Sequence, residues 1–266
     1  MEQTIQKKLP VGEGSWVTVD VYGEADRPGL VVVPGAMADA HAWRHVATAL
    51  GTWPSVGVVN RRGRAPSGPL TGSYSLRAEV EDLGVVLDTF AGTRALFGWS
   101  YGGLIALLAA DARPLDHVIA YEPVIRPFGR KALPELKAAS ENGDRDGVVE
   151  TVLRQVAGLG ADQVAALRAD APGWATLRDL SGPTYAETAA INEAQPPGEL
   201  ARAAARVDLL VGERNRGTAP YGTSFDDVRQ RVPRARVHTL PGQGHLAHLE
   251  APAELARLVD ALATTG

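Results

Sequence analysis

Ser100 stands inside the run Gly98-Trp99-Ser100-Tyr101-Gly102-Gly103, directly after the apolar stretch Ala95-Leu96-Phe97 and directly before the helix-forming residues 104–110. A strand, a tight turn and a helix with a hydroxyl at the apex present a nucleophile. The turn forces the serine backbone into a strained conformation, and flanking residues without a Cβ let strand and helix approach closely. A serine hydroxyl is a weak nucleophile near neutral pH. An imidazole must take its proton during attack and return it to the leaving group, and a third group must orient that imidazole. The oxyanion of the tetrahedral intermediate needs N–H donors, each worth about 2.7–4 kcal/mol by deletion in a comparable site. Among the six histidines, His41 and His45 are spaced like metal ligands. No Glu-x-x-His context or third ligand accompanies them, and no metal is expected.

The elements that must position such a serine are visible as alternating apolar runs. Residues 16–22, 30–33, 56–59, 95–97, 118–121, 207–211 and 236–240 read as strands, most of them buried centrally. Residues 40–50, 75–90, 104–111, 224–232 and 252–262 carry helical spacing. Ser224 with Asp227 reads as a capping box, and Pro252 suits a first helical turn. The alternation predicts an α/β fold, a mostly parallel doubly wound sheet covered on both faces. From 126 to 197 no strand is expected, only helical pieces separated by Asn142-Gly143, Pro172-Gly173 and Gly182-Pro183. Some seventy residues is too long for one crossover. The chain is therefore expected to comprise a core of residues 1–125 and 198–266 and a helical cap or lid of residues 126–197.

At 266 residues the chain can bury a large core without disulfides, and it has no cysteine. The net charge of -4 comes from interspersed acids and bases, with no basic stripe for nucleic acid and no polybasic tail. The polar start, Met1 to Lys8, lacks the apolar region of a secretory signal, and no run approaches the ~20 apolar residues of a membrane span. A soluble, cytoplasmic protein acting on a small molecule is expected, without nucleic-acid or membrane partners. Oligomeric state is not encoded legibly.

With these features in view, the chain resembles the α/β-hydrolase superfamily over nearly its whole length. Val33-Pro34-Gly35-Ala36 looks like the family's oxyanion loop, with proline in place of the usual histidine. Asn60-Arg61-Arg62-Gly63-Arg64-Ala65-Pro66-Ser67 is similar to its Arg-Gly-x-Gly-x-Ser loop. Pro241-Gly242-Gln243-Gly244-His245, ahead of the final helix, matches its late Gly-His segment, and serine precedes histidine as the family requires. The resemblance implies Ser100 as nucleophile and His245 as base, with His248 a structural or pocket-lining neighbour. It assigns the oxyanion donors to the backbone N–H groups of Tyr101 and Ala36, with Met37 the alternative in another loop register.

The third member departs from the pattern. Leu209-Leu210-Val211-Gly212-Glu213-Arg214-Asn215 aligns with the family's usual Gly-x-x-Asp ending, so Asn215 occupies the acid's place. An amide cannot stabilise imidazolium as a carboxylate does, and Asp→Asn cost roughly 10⁴ in turnover in a serine protease. Glu122 is the expected replacement. Glu122-Pro123-Val124-Ile125-Arg126-Pro127 resembles a run in certain haloalkane dehalogenases whose triad glutamate lies one strand after the elbow. Those enzymes use an aspartate nucleophile, so Ser100 argues against dehalogenation. Asp226 and Asp227 fit a helix start better, and strand alternation turns Glu213 away. Met37, Trp43, Trp99 and Trp174 are candidate linings of an apolar acyl or alcohol pocket, with core packing the alternative for each aromatic. The arginines at 61, 62 and 64 either meet a substrate carboxylate or brace their loop.

The expectation is a serine hydrolase for a small ester, thioester or lactone, acting through an acyl-enzyme without a cofactor. Two alternatives stay open. One is acyl transfer, cyclisation or perhydrolysis on the same site, and the other is a ligand-binding protein whose turnover has been lost.

Overall fold

In the computed structural model, residues 4–24, 28–72 and 74–264 are described. Residues 1–3, at the head of the polar N-terminal run, lie outside them. The strands are β1 (Thr4–Pro10), β2 (Trp16–Gly23), β3 (Leu30–Val33), β4 (Ser55–Asn60), β5 (Ala95–Trp99), β6 (Leu115–Tyr121), β7 (Ala204–Gly212) and β8 (Arg236–Leu240). They form one sheet in the order β1-β2-β4-β3-β5-β6-β7-β8. β1 and β2 run antiparallel to their neighbours, and β4 through β8 pair in parallel. The parallel centre is buried on both faces, which is why Leu30-Val31-Val32-Val33 is apolar without alternation. β1 escaped sequence reading for the opposite reason. It is an edge strand whose residues are mostly exposed or half-buried, and Gln6, Lys7 and Lys8 mask its pattern.

The helices are α1 (Arg44–Ala49), α2 (Leu76–Thr89), α3 (Tyr101–Ala112), α4 (Leu133–Glu141), α5 (Arg145–Thr151), α6 (Ala161–Ala169), α7 (Ala171–Leu180), α8 (Thr184–Glu193), α9 (Tyr221–Arg231), α10 (Ala247–Glu250) and α11 (Pro252–Thr264). Two apolar layers sandwich the sheet. One joins α2, α3 and Phe225 of α9 to strand residues such as Val31 and Leu96. The other joins α1 and α11 to residues such as Val32 and Phe97. α2 begins where a cap predicts, with Ser75 Oγ accepting the Ala78 N–H at 3.2 Å. α9 begins three residues before the capping box read in the sequence. Ser224 is buried inside it, and its hydroxyl accepts the Ile125 N–H at 2.9 Å instead.

Between β6 and β7 the described residues form the five helices α4 to α8, a π-helical segment at Val152–Val156 and no strand. These helices bury small apolar clusters of their own. Ala132, Leu136 and Val148 form one, and Val149, Val164 and Trp174 form another. Met37, on the loop after β3, packs against the second. The helical stretch between β6 and β7 thus touches the loop that follows a central strand. No helix of the described residues is long and apolar enough to cross a membrane.

Candidate active site

Ser100 joins β5 to α3 with φ 55° and ψ -121°, a conformation disfavoured for any residue with a Cβ. Close packing compels it. A methyl group on Gly98 would stand 2.4 Å from the Gly102 carbonyl oxygen, and one on Gly102 would stand 2.0 Å from that of Val33. Both obstacles are backbone and cannot swing aside. The strained turn is tied down by the Ser100 N–H donating to the Tyr121 carbonyl at 3.0 Å. Gly35 is equally confined, since its missing Cβ would lie 2.9 Å from Ser100 Cβ. The loop holding Ala36 and Met37 is therefore pressed against the serine. Tyr101 is the first residue of α3, so its N–H has no partner within the helix.

Neighbouring strand order brings the other groups to the same edge. Trp99 pairs with Tyr121, Tyr121 with Leu210, and Gly212 with Leu240. The residues following these carboxyl ends include Ser100, Glu122, Asn215 and His245. The crevice outside the carboxyl ends of parallel strands is where α/β sheets bind ligands.

Glu122 is fully buried at φ 43°. Met37, Ser100 and Glu122 are three of the five non-glycine residues with positive φ among those described. Backbone strain of this kind collects at functional sites. Glu122 Oε2 lies 2.7 Å from His245 Nδ1. Its Oε1 accepts the Gly212 N–H at 2.9 Å, and the Asn215 amide reaches Oε1 at 3.0 Å and Oε2 at 2.9 Å. Asn215, aligned in the sequence with the family's usual acid, thus donates its amide to both carboxylate oxygens of Glu122. Glu213 and the pair Asp226 and Asp227 take no part. Glu213 is exposed and accepts the Gly242 N–H, and the two aspartates lie on α9.

His245 is held from several sides. The Trp99 indole N–H donates to its carbonyl at 2.8 Å, and the Tyr121 hydroxyl donates to the carbonyl of Gly244. The Tyr221 ring stacks on the imidazole at 3.5 Å and 11°, and Trp99 flanks it at 4.7 Å. Burial lowers the His245 pKa below 6.5, against an opposing pull from Glu122. The imidazole is therefore held neutral and able to accept a proton near neutral pH. The described residues show no hydrogen bond between Ser100 and His245. Such bonds are frequently long before substrate arrives.

The residue 30–258 span matches the family model described as the alpha/beta hydrolase family. The chain belongs to that family. No curated protein matches it by sequence. Among solved structures, this hydrolase-family chain is similar to an alpha/beta hydrolase from Sphaerobacter thermophilus DSM 20745, at 24% identity and a TM-score of 0.77, covering 97% of this chain and 100% of that one. An esterase from Rhodococcus sp. ECU1013 is 18% identical with a TM-score of 0.73, covering 98% and 99%. The enol-lactonase from Burkholderia xenovorans LB400 is 19% identical with a TM-score of 0.71, covering 97% and 100%. At these identities the likeness is one of fold.

Within this alpha/beta hydrolase fold the four expected pocket residues have different surroundings. Trp43 is wholly buried and stacks on His248 at 4.6 Å and 4°, so it has no surface to offer a ligand. Trp99 supports His245. Trp174, on α7, packs with Val149 and Val164, its indole N–H donating to Asp146 at 2.6 Å, and Met37 of the loop after β3 packs against that cluster. Arg61, Arg62 and Arg64 are buried against Glu79, Asp82 and Glu187, which makes them braces of their loop. Tyr221 was not legible in the sequence, since no motif surrounds it and its contact with His245 arises only through folding.

Proposed function

We propose that this chain is a serine hydrolase that cleaves a small-molecule ester, thioester or lactone through an acyl-enzyme on Ser100. The observation that carries this reading is the buried Glu122 carboxylate 2.7 Å from His245 Nδ1, on the strand edge where Ser100 terminates β5. A carboxylate at Nδ1 leaves Nε2 free as the base and stabilises the imidazolium that forms. Ser100 Oγ attacks the carbonyl carbon while His245 takes its proton. The oxyanion is received by the N–H groups of Tyr101 and Ala36, and collapse expels the leaving group with the proton from His245. Water then attacks the acyl-enzyme by the same route and releases the acid.

The esterase and the enol-lactonase that share this fold support the substrate class. The helical insertion acts as the lid that selects the substrate, whose acyl or alcohol part is apolar. Transfer of the acyl group to another acceptor is the second reading. It is favoured by the 7% exposure of Ser100, because a site that limits water spares an acyl-enzyme from hydrolysis.

A fluorophosphonate probe tests the first reading. Stoichiometric labelling of Ser100, abolished in Ser100→Ala, is expected. A folded protein left unlabelled would overturn it in favour of a ligand-binding protein on this scaffold. Product analysis on esters, thioesters and lactones separates hydrolysis from transfer.

A further inference from the structure

Arg61 lies in the loop after β4, 2% exposed, and its guanidinium meets four partners. Nε donates to the Pro34 carbonyl at 2.9 Å and Nη2 to the Gly35 carbonyl at 2.8 Å. Nη1 pairs with Glu79 at 2.6 Å, and Nη2 also reaches Glu187 at 2.7 Å. The Gly35 carbonyl and the Ala36 N–H belong to one peptide unit. In a planar trans peptide these two groups point in opposite directions. Whatever holds the carbonyl therefore aims the N–H. A cation on the carbonyl also strengthens the N–H as a donor, because hydrogen bonds in a chain polarise one another.

The same guanidinium also packs on the side chain of Tyr101, the residue whose backbone N–H is the other donor of the proposed hole. It lies 4.9 Å above the Tyr101 ring, and the Tyr101 hydroxyl sits 3.1 Å from that of Tyr74, which donates to Glu79 at 2.6 Å. Glu187 comes from α8, within the insertion, and also holds Arg64 Nη2 at 2.7 Å. Burial opposes the charge on Arg61, but Glu187 and Glu79 outweigh it and raise its pKa. Two arginines and two glutamates thus form a buried, charge-balanced cluster. It spans the β4 loop, α2 and the insertion.

We infer that Arg61 is a positioning residue of the oxyanion hole: it aims and polarises the Ala36 N–H through the Gly35 carbonyl, and Glu187 ties that aim to the seating of the insertion. The inference rests on the serine-hydrolase reading. It adds that the insertion acts on the transition state as well as on substrate choice. If the cluster served stability alone, substitution within it would lower the melting temperature without a selective effect on attack by Ser100.

The test is the kinetics of Ser100 labelling by a fluorophosphonate, whose phosphoryl oxygen takes the oxyanion's place. Arg61→Lys keeps the charge but lacks the planar fork that reaches both carbonyls. Its inactivation rate constant is expected to fall about 10- to 100-fold, short of the 10²–10³ for complete loss of a donor. The reversible inhibition constant and the pH midpoint of labelling stay unchanged, because the His245–Glu122 pair is untouched. Glu187→Gln keeps a side chain that can still pair with both arginines and is expected to lower the same rate constant by about 3- to 10-fold, on the scale of one ordinary hydrogen bond. A folded Arg61→Lys protein labelled within twofold of the wild type overturns the inference, as does a loss confined to reversible binding or accompanied by a shifted pH midpoint. If Arg61→Lys does not fold, Glu187→Gln decides, and labelling equal to wild type overturns the coupling. Wild-type protein that resists labelling overturns the serine-hydrolase reading itself, a separate result.

Discussion

At Glu122 a buried carboxylate accepts the backbone N–H of Gly212, the amide of Asn215 and the Nδ1 side of His245. On the serine-hydrolase reading, Glu122→Gln keeps the shape and removes the charge that stabilises imidazolium. The kcat/KM for an ester substrate is expected to fall several hundredfold or more, toward the roughly 10⁴ seen for the equivalent change elsewhere. Because burial lowers the His245 pKa and Glu122 opposes that shift, wild-type kcat/KM is expected to rise with pH through a midpoint below 6.5. In Glu122→Gln the residual activity has a still lower midpoint. Asn215→Ala removes a donor to a charged group, worth about 1.5–3 kcal/mol, and is expected to lower kcat/KM by roughly 10- to 150-fold. In Asn215→Asp two carboxylates compete for one place, so one of them retains a proton into higher pH. An acid limb shifted upward in the pH profile is the expected signature, and an unshifted profile would remove Asn215 from the site.

Among the elements, the β5–α3 turn is built around absent side chains. A methyl on Gly102 would meet the Val33 carbonyl oxygen at 2.0 Å and that of Pro34 at 2.6 Å, so α3 and the loop after β3 would have to separate. Gly102→Ala is expected to destabilise the fold by about 1–3 kcal/mol in urea unfolding and to slow Ser100 labelling. Gly84 on α2 supplies the contrast, with nothing within 4 Å of an added Cβ. Gly84→Ala is expected to stabilise by about 0.5–1 kcal/mol through helix propensity alone. Equal effects of the two substitutions would refute the steric account. The element boundaries follow a similar division. β3 coincides with the apolar run 30–33, because a short buried strand consists of little else, and β8 coincides with the run 236–240 although only its Leu240 is buried. α9 does not follow its local signal, because Ser224 is drawn inward to pair with Ile125.

For the molecule as a whole, His248 and Asp208 are two of the buried groups that contribute to the response to acid. Burial, helped by the nearby His245, lowers the His248 pKa from 6.5 to about 3. The unfolded chain takes up this proton below pH 6.5 and the folded one does not, so stability falls as the pH drops through that window. His248→Phe, which keeps a ring against Trp43, is expected to flatten the loss of urea stability between pH 6.5 and 4. An unchanged slope would exclude His248 as its source. Asp208 joins β7 to His117 and His238, each at 2.6 Å, and to Arg206 at 2.7 Å. Burial raises its pKa, but these partners prevail and lower it from 3.8 to about 2. Its contribution is present above pH 3.8 and is lost as the pH falls toward 2. At this scale the limits of the sequence are clear. Local order determined the elbow at Ser100, the alternation that makes a parallel sheet, and the strandless stretch between β6 and β7, because turns, periodicity and helix-forming residues act over a few neighbours. Glu122 was reachable only as a candidate beside Asn215, since the two meet across adjacent strands from positions 93 residues apart. The tertiary structure alone decided that Asn215 holds Glu122, that Tyr221 stacks on His245, and that Arg64 meets Glu187 across 123 positions. The reason is physical: a buried charge or ring takes its partner from whatever the fold brings within a few ångströms, and chain order carries no record of that distance.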